Sequence, residues 1–175
     1  MRKLATFLVM GFLISACSER AGLEVLCKLG SAEACYSLGV MYARGQGVLE
    51  DRKKAMELFE RACQMDIGLA CRNLGLMYAE GKGVPKDYKK ASELYQKACD
   101  KGEAMACINL GAMYQEGKGV LRNTSKAIEL FQKACQRESG FGCLLVGYMY
   151  AEGIGLPKDM EKAKEFYRKA LDLSK

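Results

Sequence analysis

Cysteine carries most of the potential chemistry of this chain, which has nine cysteines and no histidine in 175 residues. Eight of them form two series, Cys27, Cys63, Cys99 and Cys135, and Cys35, Cys71, Cys107 and Cys143. Each series advances by 36 residues, and the members of a pair lie eight positions apart. Such thiols can be disulfides, metal ligands or reduced core groups. Zinc sites bring Cys and His together at tetrahedral-site spacings that this sequence lacks, so no metal and no cofactor is expected. For the disulfide reading, geometry is decisive. One continuous helix would hold Cys63 and Cys71 about 12 Å apart at about 1.5 Å per residue, whereas a bond needs Cα atoms within about 7 Å. The chain must therefore reverse between them, and Gly68 in the intervening segment is the expected pivot. The links expected are Cys27–Cys35, Cys63–Cys71, Cys99–Cys107 and Cys135–Cys143, with reduced core thiols as the alternative.

Other catalytic patterns are not nominated by the residues. None of the serines has a lysine three positions later, as a Ser-x-x-Lys nucleophile requires. The turns Gly45-Gln46-Gly47, Gly81-Lys82-Gly83, Gly117-Lys118-Gly119 and Gly153-Ile154-Gly155 are only superficially like phosphate loops. They close a helix instead of opening one after a strand. Glutamates on helices are far more often solvated faces than general bases.

Positioning the cysteines requires a helical repeat. A period of 36 residues means units too small to bury an apolar face alone, which must stack on one another. In the first unit a helix A is expected from about Ala32 to Arg44, with Ala34, Leu38, Met41 and Tyr42 along one face. Gly39, Gly75, Gly111 and Gly147 recur beside that face and permit close helix approach. A helix B follows from about Asp51 to Cys63, carrying Ala55, Leu58, Phe59 and Ala62. Asp51, Asp87, Asn123 and Asp159 stand where helix B needs an N-cap, and the first glycine of each turn suits a left-handed C-cap.

The first residues have a different character. Arg2 and Lys3 precede an apolar run from Leu4 to Ala16, too short for a mature transmembrane helix and shaped like an export signal. Its end, Leu13-Ile14-Ser15-Ala16-Cys17, resembles the lipobox of bacterial lipoproteins, where the cysteine is lipidated and becomes the new N-terminus. This accounts for the ninth cysteine. The alternative is a secretory signal cut by the general peptidase, for which Ile14 is a poor small residue. Ser18 rather than Asp follows, which by the enterobacterial sorting pattern favours the outer membrane. Export also favours disulfides over reduced thiols. Without Arg2 and Lys3, 25 basic residues face 21 acidic ones, a net charge of +4. That mild excess, spread without a basic block, excludes nucleic acid as the expected partner, and membrane attachment is expected through the N-terminal lipid only.

The stretch Ala70-Cys71, Leu74-Gly75, Tyr78, Gly81-Lys82-Gly83-Val84, Asp87, Lys90-Ala91, Ala98-Cys99 and Gly102 resembles the Sel-one-like repeat, a relative of the tetratricopeptide repeat. With cysteines in these two slots it is similar to the Helicobacter cysteine-rich proteins. The resemblance implies an all-α fold: a right-handed α/α solenoid of four 36-residue helix-turn-helix repeats with disulfide clamps. It also implies an exported protein-binding module, and some members of the family carry a penicillin-binding or weak β-lactamase attribution. The organisation expected is a signal peptide over 1–16, a lipid anchor and half-repeat cap over 17–30, repeats over 31–66, 67–102 and 103–138, and a fourth repeat with the C-terminal cap over 139–175.

Function should then reside on the face of helix A that varies from unit to unit. Its members are Glu33, Ser37, Val40 and Arg44, then Leu69, Asn73, Leu76 and Glu80, then Met105, Asn109, Ala112 and Glu116, then Phe141, Leu145, Tyr148 and Glu152. Leu69, Asn73, Leu76, Met105, Asn109, Phe141, Leu145 and Tyr148 form the candidate ligand groove. Asn73 and Asn109, one repeat apart, could hold an extended backbone, since an amide both donates and accepts; ordinary exposed helix positions are the alternative. The expected function is binding of protein or peptide partners in the bacterial envelope, with a peptidoglycan-related ligand as a further class. Weak hydrolysis of β-lactam rings is the alternative function. The expected location is the periplasmic face of the envelope, as an outer-membrane lipoprotein, with secretion as the alternative.

Overall fold

The computed structural model describes residues 19–174. Among these the chain forms nine helices and no strand. Helix α1 covers residues 19–28. It is followed by α2 (Ala32–Arg44), α3 (Arg52–Gln64), α4 (Gly68–Glu80), α5 (Tyr88–Asp100), α6 (Ala104–Glu116), α7 (Thr124–Gln136), α8 (Gly140–Glu152) and α9 (Met160–Asp172). Helices α2, α4, α6 and α8 are the A helices, and α3, α5, α7 and α9 the B helices. Helix α1 occupies the place of an incomplete B helix, because Cys27 is in register with Cys63. Each helix packs on its neighbours in sequence, and one apolar core runs from Cys27 to Met149, a small second cluster closing the C-terminal end. The expected solenoid with disulfide clamps is therefore the fold.

The local reasons repeat with the sequence. Asp51, Asp87, Asn123 and Asp159 cap α3, α5, α7 and α9, each side chain accepting from the backbone N–H three residues on. Gly45, Gly81, Gly117 and Gly153 end the A helices at φ between 64° and 73°, a conformation that suits glycine. The turn between A and B is closed by one recurring bond: the cap residue's N–H donates to a tyrosine carbonyl, as from Asp51 to Tyr42 at 3.0 Å and from Asp87 to Tyr78 at 2.9 Å. Lysine adds a second tie across that hairpin. Lys54 lies 4.3 Å from the Tyr42 ring centre, Lys90 4.6 Å from that of Tyr78 and Lys162 5.4 Å from that of Tyr150.

The recurring helix-A glycines explain how A and B approach. A Cβ on Gly39 would lie 2.8 Å from the Phe59 ring, on Gly75 2.9 Å from Tyr95, on Gly111 2.5 Å from Phe131 and on Gly147 2.6 Å from Tyr167. Every unit thus seats one aromatic ring of helix B on the bare backbone of its own helix A. Repeats are joined differently. The second turn glycine rests on the start of the preceding B helix: a Cβ on Gly83 would meet Arg52 at 2.8 Å, and one on Gly119 the Tyr88 backbone at 2.3 Å.

At the opposite edge the B helices hand over to the next A helix, and there the four disulfides form. Cys27–Cys35, Cys63–Cys71, Cys99–Cys107 and Cys135–Cys143 have Cα separations of 4.5 to 4.7 Å. The pivot of the reversal is not Gly68, which begins α4. The residue with positive φ stands two places earlier, and its series is Gly30 at 97°, Asp66 at 70°, Gly102 at 105° and Glu138 at 61°. Two units therefore use a carboxylate residue in a left-handed conformation that ordinarily disfavours side chains. In one of them the Asp66 carboxylate is held by Lys101 at 2.8 Å and Lys97 at 3.8 Å, both from the next unit.

Candidate functional site

The A-helix face is built by the positions of α2, α4, α6 and α8 that differ from unit to unit. Between α2 and α4 it forms an open depression of about 320 Å³. Val40, Phe59, Leu76 and Met77 supply its apolar lining, Asn73 its amide, and Arg44, Arg52, Glu80 and Lys82 its charged rim. Of these, Val40, Arg44, Asn73, Leu76 and Glu80 belong to the stripe expected from sequence. Arg52 and Phe59 come from helix B and Lys82 from the turn, so a single-helix projection could not include them. The rim is predominantly basic, since Glu80 is paired with Lys82 at 2.6 Å and Arg52 with Glu50 at 2.6 Å, which leaves Arg44 without a carboxylate among the described residues.

The two asparagines have different surroundings. Asn73 accepts from the Arg72 guanidinium at 3.3 Å within the depression. Asn109 instead hydrogen-bonds the buried Tyr95 hydroxyl, whose pKa is pushed up to about 12 by burial, with the Asn109 bond working in the opposite direction. The cause is the preceding B helix, which presents a tyrosine to Asn109; at the equivalent place it presents Phe59 to Asn73 and has no hydroxyl to satisfy.

Toward the C-terminal end the face becomes apolar. Met105 is 41% exposed, Phe141 52% and Tyr148 51%, while Leu76 in the depression is 43% exposed. Leu69 and Leu145 are half-buried. Helix α8 is apolar on nearly all sides, and Leu144 is also exposed, whereas its counterpart one repeat earlier, Ile108, is buried. Elsewhere the polar side chains serve structure. Ser31 and Ser139 cap α2 and α8, and the buried Ser92 donates to the Lys89 carbonyl. Cys17, the expected lipidation site, lies outside the described residues. No helix among the described residues is long and apolar enough to cross a membrane.

Helical hairpins of one length, stacked in register and presenting one variable face, define a solenoid binding scaffold. The Sel1 repeat model matches residues 32–67, 68–103, 104–139 and 141–175, and the chain belongs to the Sel1 repeat family. Among solved structures it is similar to a protective antigen present in uropathogenic Escherichia coli strains that displays an SLR fold, with 35% identity and a TM-score of 0.85. That match covers 89% of this chain and 33% of the other. A Sel1 repeat protein from Oxalobacter formigenes is 28% identical with a TM-score of 0.83, over 89% of this chain and 64% of that one. Helicobacter pylori cysteine rich protein B is 30% identical with a TM-score of 0.59, over 71% of this chain and 94% of that one. The chain thus spans about a third of the E. coli protein and under two thirds of the Oxalobacter one. No curated protein sequence matches it.

Proposed function

We propose that this chain is an exported, lipid-anchored Sel1-repeat protein that binds protein or peptide partners in the bacterial envelope through its A-helix face. Sel1 repeats generally mediate protein–protein interactions, and the observation that carries the reading here is the row of exposed apolar side chains on that face. Leu76, Met105, Phe141 and Tyr148 are each 41% to 52% exposed, a pattern that a purely solvated face has no reason to keep. The depression beside Leu76 suits an apolar side chain flanked by a carboxylate, because its base is apolar and its rim carries Arg44, which meets no carboxylate among the described residues.

Four disulfides of this kind persist in oxidising compartments, which supports export. Lipidation of Cys17 and residence in the outer membrane are the finer reading, resting on the residues before Cys17. Photo-crosslinking groups placed at 76, 105 and 141 should capture a partner in intact cells, while groups at the exposed B-helix positions Glu57 and Glu93 should not. Phe141→Ser with Tyr148→Ser should weaken capture at least tenfold, since buried aromatic anchors dominate such interfaces. Equal capture from both faces would remove the assignment. Turnover of a chromogenic β-lactam, abolished by one substitution on the A-helix face, would transfer the reading to a hydrolase.

A further inference from the structure

The two long edges of the solenoid use their charges in opposite ways. At the disulfide edge the cations tie one repeat to the next. Lys97 donates to the Cys63 carbonyl at 2.7 Å and Arg137 to the Cys99 carbonyl, while Lys101 pairs with Asp66 and Lys133 with Asp100, both at 2.8 Å. At the turn edge, formed by the A–B loops and the starts of the B helices, the acids other than the exposed Glu152 at the end of α8 are already occupied. Glu50, Glu80 and Glu116 hold Arg52, Lys82 and Lys118 within their own turns, and Asp51 and Asp87 cap helices. Lys53, Lys89, Arg122 and Lys158 meet no carboxylate among the described residues, and Lys86 lies only over the Tyr88 ring, at 5.6 Å. The turn edge therefore carries a positive field that no internal contact neutralises.

Among these cations stand two leucines that the fold does not use. Leu49 is 91% exposed and Leu121 90%, at the same loop position two repeats apart, about 20 Å at helix-packing distances. Proline occupies that position in the other two repeats, as Pro85 and Pro157. The start of the described chain lies at this edge too, since Arg20 of α1 lines the same surface hollow as Leu49 and Lys54.

We infer that the turn edge is a membrane-facing surface that rests on an anionic lipid bilayer, with the unpaired cations on the headgroups and Leu49 and Leu121 inserted between them. A soluble polyanion would satisfy the lysines but offers no apolar interior to the leucines, and a bilayer offers both. The orientation rests on the lipid-anchor reading in one respect: Cys17 stands three residues in sequence before Arg20, which lies at this edge. The A-helix face would then remain open to its partner.

Full-length chain, wild type and Cys17→Ser, is partitioned onto vesicles of phosphatidylcholine alone and of phosphatidylcholine mixed with phosphatidylglycerol. The ratio of the two partition coefficients removes any contribution from the apolar residues 4–16 that is independent of headgroup charge. Lys86→Glu/Lys89→Glu/Arg122→Glu should lower that ratio at least tenfold, whereas Lys28→Glu/Arg168→Glu/Lys169→Glu at the disulfide edge should leave it unchanged. Leu49→Ser/Leu121→Ser should weaken binding to the anionic vesicles severalfold, with unaltered thermal unfolding in every variant. Equal losses at both edges, or no loss at the turn edge, overturn the assignment. A loss from the charge variant with none from the leucine variant also overturns it, in favour of a soluble polyanion. If Cys17→Ser stays with cell membranes as the wild type does, the lipid anchor fails, while the vesicle ratios still decide the bilayer surface.

Discussion

Glycine shows at the scale of single residues how closely this sequence is bound to its packing. A Cβ at Gly111 would lie 2.5 Å from the buried Phe131 ring, so Gly111→Ala forces ring or backbone to move despite alanine's better helix propensity. Overpacking of this kind costs about 1–3 kcal/mol. Gly22, within α1, has nothing within 4 Å of its would-be Cβ, and there Gly→Ala should stabilise by about 0.5–1 kcal/mol. Denaturant unfolding of the two oxidised variants should therefore shift in opposite directions. The asparagines form a second contrast. Asn109→Ala leaves the buried Tyr95 hydroxyl without its partner and should destabilise by about 1–3 kcal/mol. Asn73→Ala, beside Phe59 in an open depression, should leave the melting temperature within a degree or so. These differences were not legible in a list of repeat positions, where Asn73 and Asn109 look equivalent. They depend on which residue the neighbouring helix supplies. For the same reason Gly68 was the natural candidate for the reversal, whereas the backbone turns at Asp66, which the lysines of the next unit hold.

At the level of helices and turns most of the architecture was readable, because each signal recurs in register and has a local cause. Caps, C-terminal glycines and apolar stripes depend only on residues a few positions away, so Asp51 and Gly45 can be assigned without knowing the fold. The shape of the depression could not be, since Phe59 and Lys82 reach it from other elements. Electrostatic links between repeats belong to this level as well. Hydrogen bonds from Lys101 and Lys133 hold the Asp66 and Asp100 carboxyls below the usual carboxylate range. Groups with depressed folded-state values stabilise above their ordinary value of 3.8, and lose that contribution as the pH falls below it and through the folded value. Oxidised protein should therefore unfold at lower denaturant concentration at pH 3 than at pH 5, the pH values being approximate. Asp66→Asn/Asp100→Asn should reduce that dependence. Both groups are near the surface, so salt should reduce it too.

The whole molecule is a row of units joined at two kinds of corner, and only one kind is bridged by sulfur. A disulfide spans the chain from each B helix to the next A helix, while the A–B turns have no covalent tie. Each bridge closes a loop of about eight residues and should contribute about 2.5 kcal/mol in the chain-entropy model. Proteolysis distinguishes the two corners. A cut after Lys101 or Arg137 falls between paired cysteines, so the fragments stay joined and run as one species on a denaturing gel until reduced. A cut after Lys82 or Lys118, in exposed turns, releases separate fragments at once. A trypsin-like enzyme acting on native oxidised protein should thus give gel patterns, with and without reductant, that identify which corner was opened. Where the surroundings are oxidising, half of the connections in this array can be severed without the chain coming apart, and damage confined to those corners would pass unnoticed until the surroundings become reducing.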